Sequence, residues 1–431
     1  METPNMPKVR AYGADATLKA CRETRYGAAP LTGYRSLDFK SCDLSAEQPL
    51  GDDPLLGRGR NAQDPYRGLI TDEGKIEIPL DLRGSGFWLT GLLGDPTTVQ
   101  TRASGQIAFA GQPASNSTIS LNGVTWTFVT GTPSGNQTQI GASLDATLTT
   151  LASDLNASAD AQISRCTYTA NTADDRLEIA FDTAGSSGNS FTLAASANSN
   201  GTVSGPTLTS GGHLHEWLSG GNAIPTYTVE IGHPQLITPV FFRHLGTVME
   251  SLAFEMGREG PANGTLQLVA QGEEKATATI DATPDAFALK RFSQGRGFIR
   301  RGGVSLAGVT GGSLTFSNNL ERVRVIRDDG KIEAAEPTIA TCTGAMTVRF
   351  DGATLVAEAT NGEPVAVEYG FTMAEGWSLA FELFRLFLPK PKYVVSGPGG
   401  VEASFDWRAA YDESAGTMLR ARLLNDVTSY A

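Results

Sequence analysis

One stretch of eight residues occurs twice. Ile70-Thr71-Asp72-Glu73-Gly74-Lys75-Ile76-Glu77 returns as Ile326-Arg327-Asp328-Asp329-Gly330-Lys331-Ile332-Glu333, identical at six of eight positions. A duplication constrains a fold strongly, because each copy has to support a comparable structural unit. Asp-Glu-Gly and Asp-Asp-Gly read as turns entering a strand, with Gly supplying a positive φ and Asp tolerating it.

The flanks extend the parallel. An arginine-containing element and a turn follow each copy: Leu80–Arg83 through Gly94-Asp95-Pro96, and Thr347-Val348-Arg349 through Gly362-Glu363-Pro364. A Val-Glu strand comes next, at Tyr227–Gly232 in one half and Ala366–Gly370 in the other. In the second half it starts right after Pro364, whereas residues 97–225 intervene in the first. One unit duplicated, with a module inserted into the first copy at a loop tip, accounts for this. Ser251–Glu255 and Ser378–Glu382 share a further echo at a different spacing, which reads as a loop that changed length.

Composition points to a mainly β chain. Of 431 residues, 49 are glycine and only 19% are charged, and the apolar runs are short. A net charge of −12 argues against a general nucleic-acid binder. Cys21, Cys42, Cys166 and Cys342 show neither zinc nor disulfide spacing, so reduced cysteines are expected. No apolar run is long enough to span a membrane, and no signal peptide is seen.

Residues 1–30 read as an N-terminal arm and 34–44 as a strand. Ser45–Gly68 is a long loop with three prolines, either a surface loop or one reaching another subunit through Leu50, Leu55, Leu56, Arg58, Arg60 and Tyr66. Gly86–Leu93 has helical spacing, and 353–360 takes the same place in the second half.

The module at 97–225 holds no lysine, and its eight acids face three arginines. Its pattern is strand (Ile107–Ala110), strand (Thr118–Leu121), strand (Val124–Thr130), helix (Ser143–Asn156), then strands at Arg176–Phe181 and Ser190–Ala195. It reads as a small α+β domain displayed on a surface. Four strands elsewhere alternate apolar residues with Glu230, Glu255, Glu368 and Glu382, as if one wet face were repeatedly acidic.

No catalytic constellation appears. His213 and His215 share one side of an extended segment, yet no third ligand completes a metal site, and a linker is the preferred reading. Gly295–Gly297 and Arg300–Gly303 lack the lysine and context of a phosphate loop and read as a hairpin. Asp72/Glu73 and Asp328/Asp329 recur in turns, which favours structure over acid–base work. No enzyme activity, cofactor or metal is expected.

Several motifs together carry a likeness. They are Arg10–Ala14, Ser41–Leu50, Asp81–Trp88, Val229–Pro234, Leu314–Leu320, Ile326–Gly330, Ser396–Gly400 and Leu424–Val427. Over 1–96 and 226–431 the chain resembles the major tail tube proteins of long-tailed, non-contractile bacteriophages, in their duplicated form. The resemblance implies two tandem β-sandwich/barrel units with short flanking helices, at 31–96 with 226–280 and at 281–431, plus the inserted α+β domain. It implies a virion tail protein, assembled in the host cytoplasm. Its partners would be itself in stacked rings, the tape measure protein and the terminator or baseplate proteins. Double-stranded DNA would pass without tight binding, and no membrane is involved.

Two units per chain lead to an expected trimeric ring with pseudo-sixfold symmetry, a conduit for DNA ejection. An acidic inner wall would repel phosphates, which makes Glu230, Glu255, Glu368 and Glu382 lumen-facing candidates. The alternatives are a terminator or baseplate ring, and an adhesin binding host glycans through the module.

Overall fold

A computed structural model describes residues 10–306, 308–349, 362–389, 392–394 and 402–430. The proposed helix at 353–360 and the Ser396–Gly400 motif lie outside these. The fold is mainly β. In chain order the elements that matter are β1 (Thr17–Arg22), β2 (Ser41–Cys42), β3 (Ser45–Glu47), β4 (Thr71–Pro79), α1 (Gly84–Leu93), β5 (Thr97–Phe109), α2 (Leu144–Asn156) and β6 (Gly212–Leu218). Then follow β7 (Tyr227–His233), β8 (Val240–Met256), β9 (Asn263–Ala270), β10 (Gly272–Ala276), β11 (Gly297–Arg301) and β12 (Val309–Ser317). The last are β13 (Thr341–Arg349), β14 (Val365–Thr372), β15 (Ser378–Phe387), β16 (Lys392–Val394), β17 (Glu402–Ala410) and β18 (Leu419–Asn425).

The two halves pair their strands in the same way. In the first, β1 lies on β7, β7 on β8, β8 on β9 and β10, β9 on β4, and β4 on β2 and β3. In the second, β11 lies on β14, β14 on β15, β15 on β17 and β18, β17 on β13 and β16, and β13 on β12. Side-chain detail follows suit. Leu314 lies opposite Gly344, and a side chain on Gly74 would run into the backbone of Leu44, just as one on Gly344 would meet Ser313. Both leucines are buried.

This pairing corrects the reading of the repeats. The counterpart of Thr71–Pro79 is Thr341–Arg349, not Ile326–Glu333. Only the second octapeptide is a turn, with Gly330 at φ +69°. In the first, Asp72, Glu73 and Gly74 lie inside β4, where Gly74 is needed because Leu44 crosses so closely. The Ser251/Ser378 echo is likewise fortuitous. Glu230 faces Arg243 and Glu368 faces Glu382, so Arg243 is the counterpart of Glu382. The N-terminal segment is no loose arm at Thr17–Arg22: Leu18 and Ala20 are buried, and β7 holds the strand along its length. The expected strand at 34–44 is broken into Arg35–Ser36 and Ser41–Cys42.

One apolar core spans both halves, joining Ile76, Leu252, Phe254, Leu314, Phe371, Phe381 and Phe405. The rings of Phe254 and Phe381 come within 4.9 Å, and those of Tyr369 and Trp407 within 5.6 Å. Two sheet layers therefore face each other across this core. Helix α1 is buried on most of its surface, with Gly91 seated against Met249 and Tyr227. Asp81 opens the helix: its carboxylate accepts from the Ser85 N–H at 2.9 Å while the Ser85 hydroxyl takes the Asp81 N–H.

The inserted module has its own core around Ile107, Phe128, Leu148, Leu151 and Phe181. Ser143 caps α2 by accepting the Ala146 N–H. The module's stem is not free-standing. The start of β5 pairs with β6, and β6 pairs with β18 of the main sheet.

Candidate functional site

Strand pairing builds one long lateral run. Starting from β2 and β3 it passes through β4, β9, the C-terminal half of β8, β12, β13 and β17 to β16. The joint between halves is β8 on β12, with Ala253 opposite Thr315 and Glu255 opposite Ser313. The face turned from the core is small and hydroxylated around the β8–β12 joint and carries charges of both signs toward its ends, among them Lys75, Glu77, Asp406 and Arg408. One row across it reads Glu77, Thr265, Ala253, Thr315, Thr343, Arg408. Its counterpart row on the core side is Ile76, Leu266, Leu252 and Phe316, all buried. Period-2 alternation thus separates a greasy face from a hydroxyl-rich one.

The second layer carries two matched rows of charge. In the first half Lys19, Glu230, Arg243 and Glu274 lie side by side across β1, β7, β8 and β10. In the second, Arg300, Glu368, Glu382 and Arg420 do so across β11, β14, β15 and β18. Glu230 is 1% exposed, bonded to Arg243 Nε at 3.0 Å and to the Ile280 N–H at 2.9 Å. Glu368 bonds Arg422 at 3.1 Å, and Glu382 pairs with both Arg420 and Arg422. Glu368 and Glu382 face each other directly, and three guanidiniums on the flanking strands serve these two carboxylates and offset their repulsion.

The four candidate glutamates therefore do not share one acidic wet face. Glu255 alternates with Phe254, and Glu382 with Phe381. Those two rings meet in the core, so Glu255 and Glu382 point to opposite outer sides. Glu230 is not wet at all. Sequence reasoning missed the arginines, although Leu419–Asn425 alternates Arg420 and Arg422 with buried Leu419, Ala421 and Leu423. That pattern was a legible strand; its partners were not.

The proposed contact residues Leu50, Leu55, Leu56, Arg58, Arg60 and Tyr66 are all exposed, Leu56 completely. Leu50–Gly51 and Tyr66–Arg67 form the stem of a small hairpin standing off the main sheets. Arg300–Val304 is the expected hairpin, turning at Gly302 and Gly303.

Other titratable groups are structural. Asp72 and His244 form a fully buried pair at 2.9 Å, and among the described residues the other ring nitrogen of His244 bonds no hydroxyl or thiol. Arg322 clamps Glu73 at 2.7 Å and Glu250 at 2.8 Å, and these bonds raise its pKa. Asp329 is held far down by Arg327. His215 is buried among Thr98, Asn425 and Val427, and burial lowers its pKa. Burial pushes Asp81 up to about 6. Among the described residues no group of three or more His, Cys, Asp or Glu could hold a metal. No helix there is long and apolar enough to cross a membrane.

A paired-sheet chain whose lateral run, among the described residues, ends in edges paired on one side is suited to assembly. Comparison with protein families agrees: the family model described as phage tail tube protein matches residues 13–409. The chain belongs to the phage tail tube protein family. No curated protein matches it. As a member it is a structural component of the virion, a major tail protein of the tube. The matched span takes in both halves and the inserted module.

Proposed function

We propose that this tail tube protein forms closed rings of three chains with pseudo-sixfold symmetry, stacked into the conduit for DNA ejection. The observation that supports this reading is the lateral run itself. It consists of two equivalent four-strand sets, β2/β3–β4–β9–β8 and β12–β13–β17–β16, already joined edge to edge within one chain. Three chains would bring about two dozen strands, enough for a barrel wide enough to hold a channel. Closure removes the exposed sheet edges that would otherwise template aggregation.

In this arrangement the small, hydroxylated face lines the channel. The Ser, Thr and Ala residues around the joint give DNA little to grip, the charges toward the ends of the run are of both signs, and Glu255 is the one earlier candidate on that face. Glu368, Glu382 and their arginines lie on the outer layer, with α1 and the module further out. The hairpin carrying Leu50, Leu55, Leu56, Arg58, Arg60 and Tyr66 reaches the neighbouring ring. The tape measure protein occupies the channel before ejection, terminator and baseplate proteins cap the ends, and assembly takes place in the host cytoplasm.

Negative-stain microscopy of the concentrated protein tests the reading. Stacked rings with a central hole and three peripheral knobs per layer are expected. Monomers at every concentration, with assembly initiators supplied, would overturn it.

A further inference from the structure

The joint inside the chain is a template for the joint between chains. Segment Ser251–Met256 of β8 is flanked on both sides, by β9 and by β12. Its counterpart in the second half follows from register. Thr265 lies opposite Ala253 and Glu77, while Ser404 lies opposite Lys392 and Thr347. Lys392 of β16 therefore takes the place of Ala253. Among the described residues β16 has β17 on one side, and no strand on the other.

The missing strand has a counterpart too. Strand β12 lies on β13 as β2 and β3 lie on β4: Thr315 is opposite Thr343 just as Ser45 is opposite Glu73. One edge of β12 is taken by β8, but among the described residues β2 and β3 pair with β4 alone. The donors on that edge can be assigned. The Asn318 N–H bonds the Glu250 carbonyl at 2.8 Å, so alternate residues on β12, Phe316 among them, point their N–H toward β8. The counterpart of Phe316 is Ala46. Its N–H meets a Glu273 carboxylate oxygen at a long 3.4 Å, a weak substitute for a backbone carbonyl.

We propose that the outer edge of Ser41–Glu47 adds, antiparallel, to the open edge of Lys392–Val394 in a second copy of this chain, in the register that β12 uses on β8. Ser45 then lies opposite Lys392 of the second copy, as Thr315 lies opposite Ala253 within one chain. Glu47 lies two residues from Ser45 on one edge and Lys392 lies on the other, opposite charges on diagonal neighbours in this register. Two different edges meet, so the contact is heterologous. It repeats the operation that relates the two halves, which the three-chain ring takes as one sixth of a turn. The inference rests on the tail tube reading and specifies which edges make the ring.

Cysteine pairing in the assembled full chain tests it. Ser45→Cys with Lys392→Cys occupies a non-hydrogen-bonded pair, where side chains approach closely. Mild oxidation should yield a ladder of covalent oligomers on a non-reducing gel, at least tenfold above either single variant. Ser45→Cys with Tyr393→Cys, one position out of this register, should stay at that background. Independently, Ala46→Pro removes the outward donor from an edge strand that tolerates proline. It should keep the unassembled protein's spectrum and melting temperature while assembly drops at least tenfold. Rings that form without the 45–392 cross-link, or an Ala46→Pro protein that assembles like its parent, would overturn the inference and leave the tube reading standing. Absence of rings in the parent protein would overturn both.

Discussion

Two equivalent strand segments differ in their surroundings. Ser251–Met256 is covered on both edges by its own chain, whereas Lys392–Val394 is paired on one. The same contrast separates β12, sandwiched between β8 and β13, from β2 and β3, which among the described residues pair with β4 alone. Among the described residues the difference lies at the two ends of the run. In the proposed ring the chain makes one inter-unit joint covalently guaranteed and leaves the next to association. It halves the number of joints that depend on concentration.

If the halves share one core, a cavity on either side of it should weaken both. Phe254→Ala and Phe381→Ala should each cost about 3–5 kcal/mol, with a single unfolding transition retained in denaturant melts. Two separated transitions would show that the halves fold independently.

The charge rows separate the halves next. Removing Glu230, buried and holding Arg243, should cost about 3–5 kcal/mol because a largely buried guanidinium loses its partner. Glu382→Leu should cost about 1 kcal/mol, since the carboxylate lies near the surface and Arg422 keeps Glu368. Equal losses in chemical denaturation would remove the distinction drawn between the rows.

The matched glycines should respond alike. Gly74→Ala and Gly344→Ala each force a methyl group into a crossing backbone, at Leu44 and Ser313 respectively. Each should destabilise by about 1–3 kcal/mol, measurable as a fall in Tm. A neutral result at one position would break the equivalence of the two strand pairs.

The smallest effect belongs to the first half and depends on pH. The native pKa of Asp81 is raised to about 6 by burial, so its ionisation opposes folding. Its contribution is favourable at low pH and is lost as pH rises from about 4, the unfolded value, through 6. Asp81→Asn removes that loss. The variant's Tm relative to the parent should climb between pH 4 and 6.5 and then level off; a decline over that window would contradict the assignment.

Much of this fold was legible before any coordinates. The α1 and α2 helices and the strands bearing Val229, Phe254, Val367 and Phe381 follow from periodicity and turn residues. What misled was the octapeptide. Its identity is high, yet one copy is strand and the other turn, because Gly74 serves a close crossing and Gly330 a positive φ. The structural repeat rests on sparse residues such as Leu44 with Gly74 and Leu314 with Gly344, too few to find by eye. The glutamate partners were hidden for a different reason. Whether a carboxylate on one strand meets Arg243 or Arg422 depends on register between distant strands, and alternation within one strand does not fix it. Lys19 carried a readable clue, a polar residue between buried Leu18 and Ala20, but its segment was read as an arm.

The most direct test is a cryo-EM map of the assembled tube. The account predicts three chains per ring, with one uninterrupted inner sheet in which Ser41–Glu47 of each chain lies antiparallel against Lys392–Val394 of the next. Six chains per ring, or an inner sheet closed through any other pair of edges, would contradict it.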